Sequence, residues 1–153
     1  MSRLTVGEFD DGLDPECEFC RIIRGEESAR VVCETETTLA FFPLKPAVLG
    51  HTLLIPKVHV PDLWTSRPDL GPSLMEDAIR VGKALKVALR PDGLNMITSA
   101  GEAASQTVFH LHLHLVPRWL NDRIGNIWPP AEGLSEEVKD EVADLVREAC
   151  EGQ

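Results

Sequence analysis

The sequence predicts an α+β fold: a mostly antiparallel, five-stranded sheet with flanking helices, in a single domain over residues 15–153. Three observations carry this. Five short runs rich in β-branched, leucine and aromatic residues are separated by Gly and Pro punctuation. Only two longer segments repeat apolar residues at steps of three and four. The strands come in groups rather than in strict alternation with helices, which argues against a parallel sheet. With 153 residues, 43% of them hydrophobic, the chain is long enough to bury one core.

Residues 1–14 are acidic, carry glycines and close on Asp14-Pro15, the pattern of a flexible arm. From Cys17, apolar residues at Phe19, Ile22 and Ile23 suit a short helix that Gly25 stops. Arg30–Glu34 and Thr37–Phe42 read as a hairpin ended by Pro43, and His51–Pro56 as a buried strand after the 46–50 loop. Between Ser73 and Leu89 the residues Leu74, Ala78, Val81, Leu85, Ala88 and Leu89 mark one helix face, with Pro91-Asp92-Gly93 beyond its end. Leu94–Thr98 reads as a strand, Ala100–Ser105 as a small-residue loop and Val108–Val116 as a further strand. Ser135-Glu136-Glu137 offers a helix cap, followed by Val138, Val142, Leu145, Val146 and Ala149 on one face.

A net charge of −10 excludes a groove that grips duplex DNA or RNA by neutralising phosphates. It does not exclude a phosphorylated small molecule, which needs only a local cluster of donors. No run of about 18 apolar residues is present to span a membrane, and the opening segment lacks the apolar stretch of a signal peptide. The reading is a cytoplasmic protein, where disulfides are a poor default. Cys17-x-x-Cys20 then stands open between a redox pair, half of a zinc site and simple burial, and Cys33 and Cys150 read as small packing residues.

His110-Leu111-His112-Leu113-His114 alternates strictly, in a chain with only five histidines. On a strand, alternate residues share a face at about 7 Å spacing, so the three imidazoles face one way and Leu111, Leu113 and Leu115 the other. Neutral imidazole is a nucleophile that also leaves well, and crowded rings cannot all hold a proton cheaply. The central ring can therefore stay neutral while its neighbours donate hydrogen bonds or bind metal. That division of labour suits attack on phosphorus. Arg118, the amides of the Gly101–Thr107 loop and the side chains of Gln106 and Thr107 are candidate partners for phosphate oxygens; Thr107 or Ser105 can pass a proton to a leaving group.

At these residues the sequence resembles the histidine triad (HIT) superfamily. Its signature, His-apolar-His-apolar-His followed by two apolar residues, is met by His110–Val116, with Gln106-Thr107-Val108 ahead of it. Cys17–Glu26 is similar to the family's N-terminal segment and Gly50–His59 to its central strand, so the likeness covers about residues 17–119 and takes in all five histidines. It implies an antiparallel fold with flanking helices, a homodimer, and a nucleotide or nucleoside phosphate conjugate as ligand. It implies His112 as nucleophile at the α-phosphorus, with a nucleotidyl-His112 intermediate that water or another acceptor resolves. His114 and His51 would lie in the phosphate site, with His110 and Thr107 completing the catalytic group. Ser99, Ser105, Gln106, Val108 and Arg118 fall in the implied substrate-binding segments. Zinc-bearing members of the superfamily imply the ligand set Cys17, Cys20, His59 and His110, a closed structural site.

The chain departs from the family pattern at three places. Pro43 stands where an Asp or Asn usually meets the ribose hydroxyls, and its side chain accepts no hydrogen bond. Ser99 stands where Asn is common and Ser105 where Gly often precedes the glutamine. Val116–Asp122 is similar to dinucleoside polyphosphate hydrolases and phosphorylases, and Trp128-Pro129-Pro130 to the phosphoramidase branch. The functional expectation is a hydrolase (phosphoramidase or dinucleoside polyphosphate hydrolase) or nucleotidyl transferase; the alternatives are a nucleotide-binding scaffold with little turnover and a thiol redox protein.

Overall fold

The computed structural model describes residues 11–153. Most of the arm expected over residues 1–14 lies outside the described residues. Within the part that is described, Asp11 pairs with Arg24 at 2.8 Å and the Asp14 amide donates to Cys20 Sγ at 3.4 Å.

The elements run α1 (Glu18–Ile23), β1 (Arg30–Glu34), β2 (Thr38–Phe42), β3 (Thr52–Pro56), α2 (Leu70–Leu89), β4 (Gly93–Ile97), a 3-10 turn (Glu102–Ala104), β5 (Leu113–Arg118) and α3 (Glu136–Glu151). The strands form one sheet in the order β1-β2-β3-β5-β4, every neighbouring pair antiparallel. The α+β class, the five strands and the flanking helices agree with the sequence.

Both faces of the central strands are covered, which is why β3 is apolar from Leu53 to Pro56 and buried along its length, with the Thr52 hydroxyl turned to the Gly50 carbonyl at 2.8 Å. Ala40, Leu54, Leu113 and Leu115 face Leu74, Ala78, Val81 and Leu85 of α2. Leu39, Phe41, Leu53 and Ile55 point the other way, to Phe19, Cys17 and Cys20 at α1. The two-residue period of the strands thus sends alternate residues to two different helices. Asp77 pins α2 to the β1–β2 turn, accepting from Thr38 at 2.6 Å, Thr35 at 3.1 Å and Arg80 at 2.7 Å.

Beyond one-residue shifts at the ends of β2, β3 and β4, three features differ from the sequence reading. Helix α2 begins at Leu70 rather than Ser73, because Pro72 falls in its first turn, where an amide would have no intrahelical partner. The last strand occupies Leu113–Arg118 rather than 108–116. Ladder pairing with β3 stops at Leu54↔Leu113, and the Leu111 amide turns instead to the Val60 carbonyl at 2.7 Å. Helix α3 has the expected cap, with Ser135 accepting from the Val138 amide at 3.3 Å, yet none of its residues is buried, and Val138, Val142, Leu145 and Val146 face outward. No helix among the described residues is long and apolar enough to cross a membrane.

Candidate active site and metal centre

Two backbone groups decide which nitrogen of His112, His51 and His114 carries the proton. His112 Nδ1 lies 2.6 Å from the His110 carbonyl oxygen, which can only accept, so Nδ1 holds the hydrogen and Nε2 keeps a lone pair. The Ala47 amide donates to His51 Nδ1 at 3.0 Å. A neutral His51 therefore carries its hydrogen on Nε2 and donates to His114 Nδ1, 2.9 Å away. That leaves His114, when neutral, with N–H at Nε2. The chain from Ala47 through His51 to His114 ends in a donor; His112 next to it, with ring centroids 4.9 Å apart, offers an acceptor. Phe19 fixes the rings laterally, edge-on to both His112 and His110.

Burial holds these rings neutral. It pushes His112 down, against the opposing effect of the His110 carbonyl, and pushes His51 down together with the nearby His112. Burial first, then His112 and His51, lower His114 from 6.5 to about 4. An unfolded chain takes up that proton near pH 6.5 while the native ring refuses it down to about pH 4. This share of stability is full above pH 6.5 and is lost as pH falls towards 4. The urea midpoint is expected to fall across that window in the native protein and to fall less steeply in His114→Gln; equal slopes would refute the assignment.

His112, His114 and His51 line a cavity of about 720 Å³, together with Thr107 and Val108. Its apolar wall is built from Phe19, Ile22, Phe41 and Leu53, with Arg30, Pro43, Leu44 and Lys45 at the end of the β1–β2 hairpin and Glu18 and Glu27 on the α1 side. The sequence reading placed three imidazoles on one face. Two of them line this cavity; His110, fully buried, turns to the cysteines. Only His114 lies within the β5 ladder.

Four candidate substrate-binding residues stand elsewhere. Arg118 is held by Asp122, 2.6 Å from Nε, by Asn95 at 2.8 Å and by the Gly125 carbonyl, and does not line the cavity. Its acidic partner four residues on was the signal for this structural role. Gln106 is a clamp, accepting from the Gly101 amide at 2.8 Å and donating to the Pro61 carbonyl at 2.7 Å. Ser105 is exposed, with φ 66°, and neither it nor Ser99 lines the cavity. Four of the loop amides expected to meet phosphate are spent on the loop itself: those of Ala104, Ser105 and Gln106 bond to the Gly101 or Glu102 carbonyl, and that of Gly101 to Gln106 Oε1. One residue the sequence reading missed is Thr98, which donates to the His112 carbonyl at 3.0 Å. Phe19, Phe41 and Leu53, which the sequence reading places in a short helix and two strands without a role at the site, form part of the cavity wall.

Behind the histidines, Cys17, Cys20, His59 and His110 bring four ligand atoms within 4.8 Å of one another. Cys17 Sγ to His110 Nδ1 is 3.5 Å, Cys20 Sγ to His110 Nδ1 is 3.5 Å, and Cys20 Sγ to His59 Nδ1 is 3.3 Å. Zn–S bonds of about 2.3 Å and Zn–N bonds of about 2.0 Å at tetrahedral angles require S···N separations of roughly 3.5 Å, so the donor set fits zinc. His110 Nε2 donates to the Pro56 carbonyl at 2.9 Å, freeing Nδ1 for the cysteine side. The redox reading fits poorly: both thiols are buried, and burial pushes Cys20 up to about 11.

Two imidazoles with complementary free nitrogens on a cavity wall, over an antiparallel sheet, define a class of small α+β proteins whose site can address a phosphate ester or amide. The HIT domain matches residues 24–120. The chain is 35% identical to Protein hit of Bacillus subtilis over 113 residues, covering 73% of this chain and 78% of that one. It is 35% identical to adenosine 5'-monophosphoramidase HNT1 of Saccharomyces cerevisiae over 122 residues, 78% of this chain and 74% of the relative. A crystal structure of a Zn-bound histidine triad family protein from Mycobacterium smegmatis superposes with a TM-score of 0.68 at 37% identity, over 76% of this chain and 84% of that one. The chain belongs to the HIT family.

Proposed function

We propose that the protein is a nucleotide hydrolase or nucleotidyl transferase that works through a covalent nucleotidyl-His112 intermediate. The observation that carries this is the 2.6 Å bond from His112 Nδ1 to the His110 carbonyl, which leaves the Nε2 lone pair free on a ring lining the cavity. In the first step Nε2 bonds to the α-phosphorus, and the bond from phosphorus to the leaving nitrogen or oxygen breaks. The leaving group takes that electron pair and a proton relayed from solvent through the Thr107 hydroxyl, while His114 Nε2–H, part of a neutral pair, donates a hydrogen bond to the phosphate oxygens. In the second step water or another acceptor attacks phosphorus and returns its proton to solvent through the Thr107 hydroxyl, and His112 departs with the pair it contributed. His51 holds His114 in the donor tautomer, and the apolar wall of Phe19, Ile22, Phe41 and Leu53, with Val108, takes the base. A relative named as an adenosine 5'-monophosphoramidase supports a phosphoramidate among the substrates.

Rapid quenching with a panel of nucleoside phosphoramidates and dinucleoside polyphosphates, labelled in the nucleotide, is expected to leave label on His112. Turnover without any label there would refute the covalent route; tight monophosphate binding with no turnover of any conjugate would favour the scaffold reading, which Pro43 in the cavity wall motivates.

Cys17, Cys20, His59 and His110 would hold one zinc ion, whose role is to tie the N-terminal segment to the segment carrying His112. The homodimer has support in α3, an amphipathic helix with no buried residue, and in β4, an edge strand that exposes Met96 and Ile97. Sedimentation equilibrium is expected to give twice the 16.9 kDa chain mass, and a monomer throughout would refute it.

A further inference from the structure

We propose that the cavity carries a second anion subsite, formed by Arg30 and Lys45, and that the conjugates it takes bear a phosphate besides the one His112 attacks. This deepens the nucleotide reading above and rests on it. Arg30 and Lys45 are the only cations among the described residues lining the cavity. They stand together at one end of the sheet: Arg30 opens β1 and is the Cα partner of Phe42, and Lys45 follows Phe42 by three residues on the turn towards His51. Neither makes an ion pair or a side-chain hydrogen bond among the described residues. Nearby Arg21 and Arg24 are met by Glu27 at 3.5 Å and Asp11 at 2.8 Å; among the described residues Lys83, Lys86, Arg90 and Arg123 also lack an ion pair, but none of them lines this cavity.

Both side chains are solvent-exposed, and what sets them apart is that they share one wall of the cavity that holds His112, where two positive charges with no acidic partner draw an anionic ligand. The carboxylates that share the cavity do not supply one. Glu27 faces Arg21, and Glu18 sits in the first turn of α1.

The groups around His112 are uncharged. His51 and His114 form a neutral hydrogen-bonded pair and Thr107 is a hydroxyl, so they can orient one phosphate without balancing further charge. The same wall carries Pro43, two residues before Lys45, whose side chain offers a sugar hydroxyl no acceptor. That end of the cavity therefore suits an anion and not a free diol. The second phosphate has two chemical sources, a substituent on the sugar or a further phosphate along the chain from the α-position.

Calorimetry on the full chain separates them, using AMP, adenosine 2',5'-bisphosphate, adenosine 3',5'-bisphosphate and ADP as probes. At least one doubly phosphorylated probe is expected to bind about tenfold more tightly than AMP, the scale of a charge-assisted contact. A bisphosphate ahead of ADP assigns the sugar as source, and ADP ahead assigns the chain. In Arg30→Gln and in Lys45→Gln the ratio to AMP is expected to shrink towards one, with the far-UV dichroism of the native fold. Equal affinity for all four probes in the native protein would overturn the subsite while leaving the nucleotide reading standing, as would a ratio that neither substitution changes. No binding of any probe, AMP included, would overturn the nucleotide reading itself and the subsite with it.

Discussion

Replacing His112 by alanine is expected to lower turnover of a nucleoside 5'-phosphoramidate by at least about a thousandfold, because the covalent route loses its attacking atom. The expected loss in His114→Gln is smaller, on the order of a hundredfold, since a displaced hydrogen-bond donor weakens stabilisation of the phosphate oxygens without removing the bond-forming step. The ordering follows from the hydrogen bonds. His112 has one nitrogen committed to a carbonyl at 2.6 Å and one free, whereas His114 is the end of a donor chain that starts at the Ala47 amide. Thr98→Val tests the backbone side of the same arrangement. It removes the 3.0 Å bond to the His112 carbonyl, and a drop in kcat larger than any change in KM would mark it as a positioning residue. Steady-state rates on one phosphoramidate across the three variants check all of this. A His112→Ala protein within tenfold of native turnover would refute the nucleophile assignment whatever the other two do.

The fold was legible where one physical cause dominated. The step-three and step-four pattern of Leu74, Ala78, Val81 and Leu85 named the buried face of α2, and the unbroken apolar run at Leu53–Ile55 named a strand covered on both sides. The histidine row was legible as chemistry but only in part as geometry. Alternation gave one face to three rings, yet nothing local to residues 110–114 says that the ladder starts at Leu113, since that depends on Val60 taking the Leu111 amide across a long sequence separation. The phosphate-contact residues were hardest, because an arginine or glutamine beside a motif looks the same whether it meets a ligand or a neighbouring loop. Arg118 goes to Asp122 and Gln106 to the Gly101 turn. The cavity wall draws on α1, β2, β3 and the segment before β5, elements far apart in the chain, so only the sheet order could assemble it.

The four-ligand cluster behind the site leads to the other large effect. Protein purified without a polyhistidine tag is expected to hold one zinc per chain, and its removal to lower Tm by about 10 °C or more, a loss of several kcal/mol spread over a domain of this size. A metal-free cluster has an alternative, in which neutral thiols donate to the lone pairs of His110 Nδ1 and His59 Nδ1 across the 3.3–3.5 Å gaps. Burial favours that form, pushing the Cys20 thiol up to about 11. The two states differ in protons: binding of zinc as a dithiolate releases about two per chain, which an indicator in weak buffer reads directly. Cys20→Ser is expected to lose both the metal and the heat stability, while Cys33→Ser, outside the cluster, keeps them. The consequence for catalysis runs through one residue. His110 places its ring among the cysteines and its carbonyl on His112 Nδ1, so loosening the ring frees the carbonyl that fixes the nucleophile's tautomer. Stripped protein that stays folded is therefore expected to lose turnover before it loses nucleotide affinity. Full activity and an unchanged Tm in protein holding less than a tenth of a zinc per chain would remove the metal from both roles.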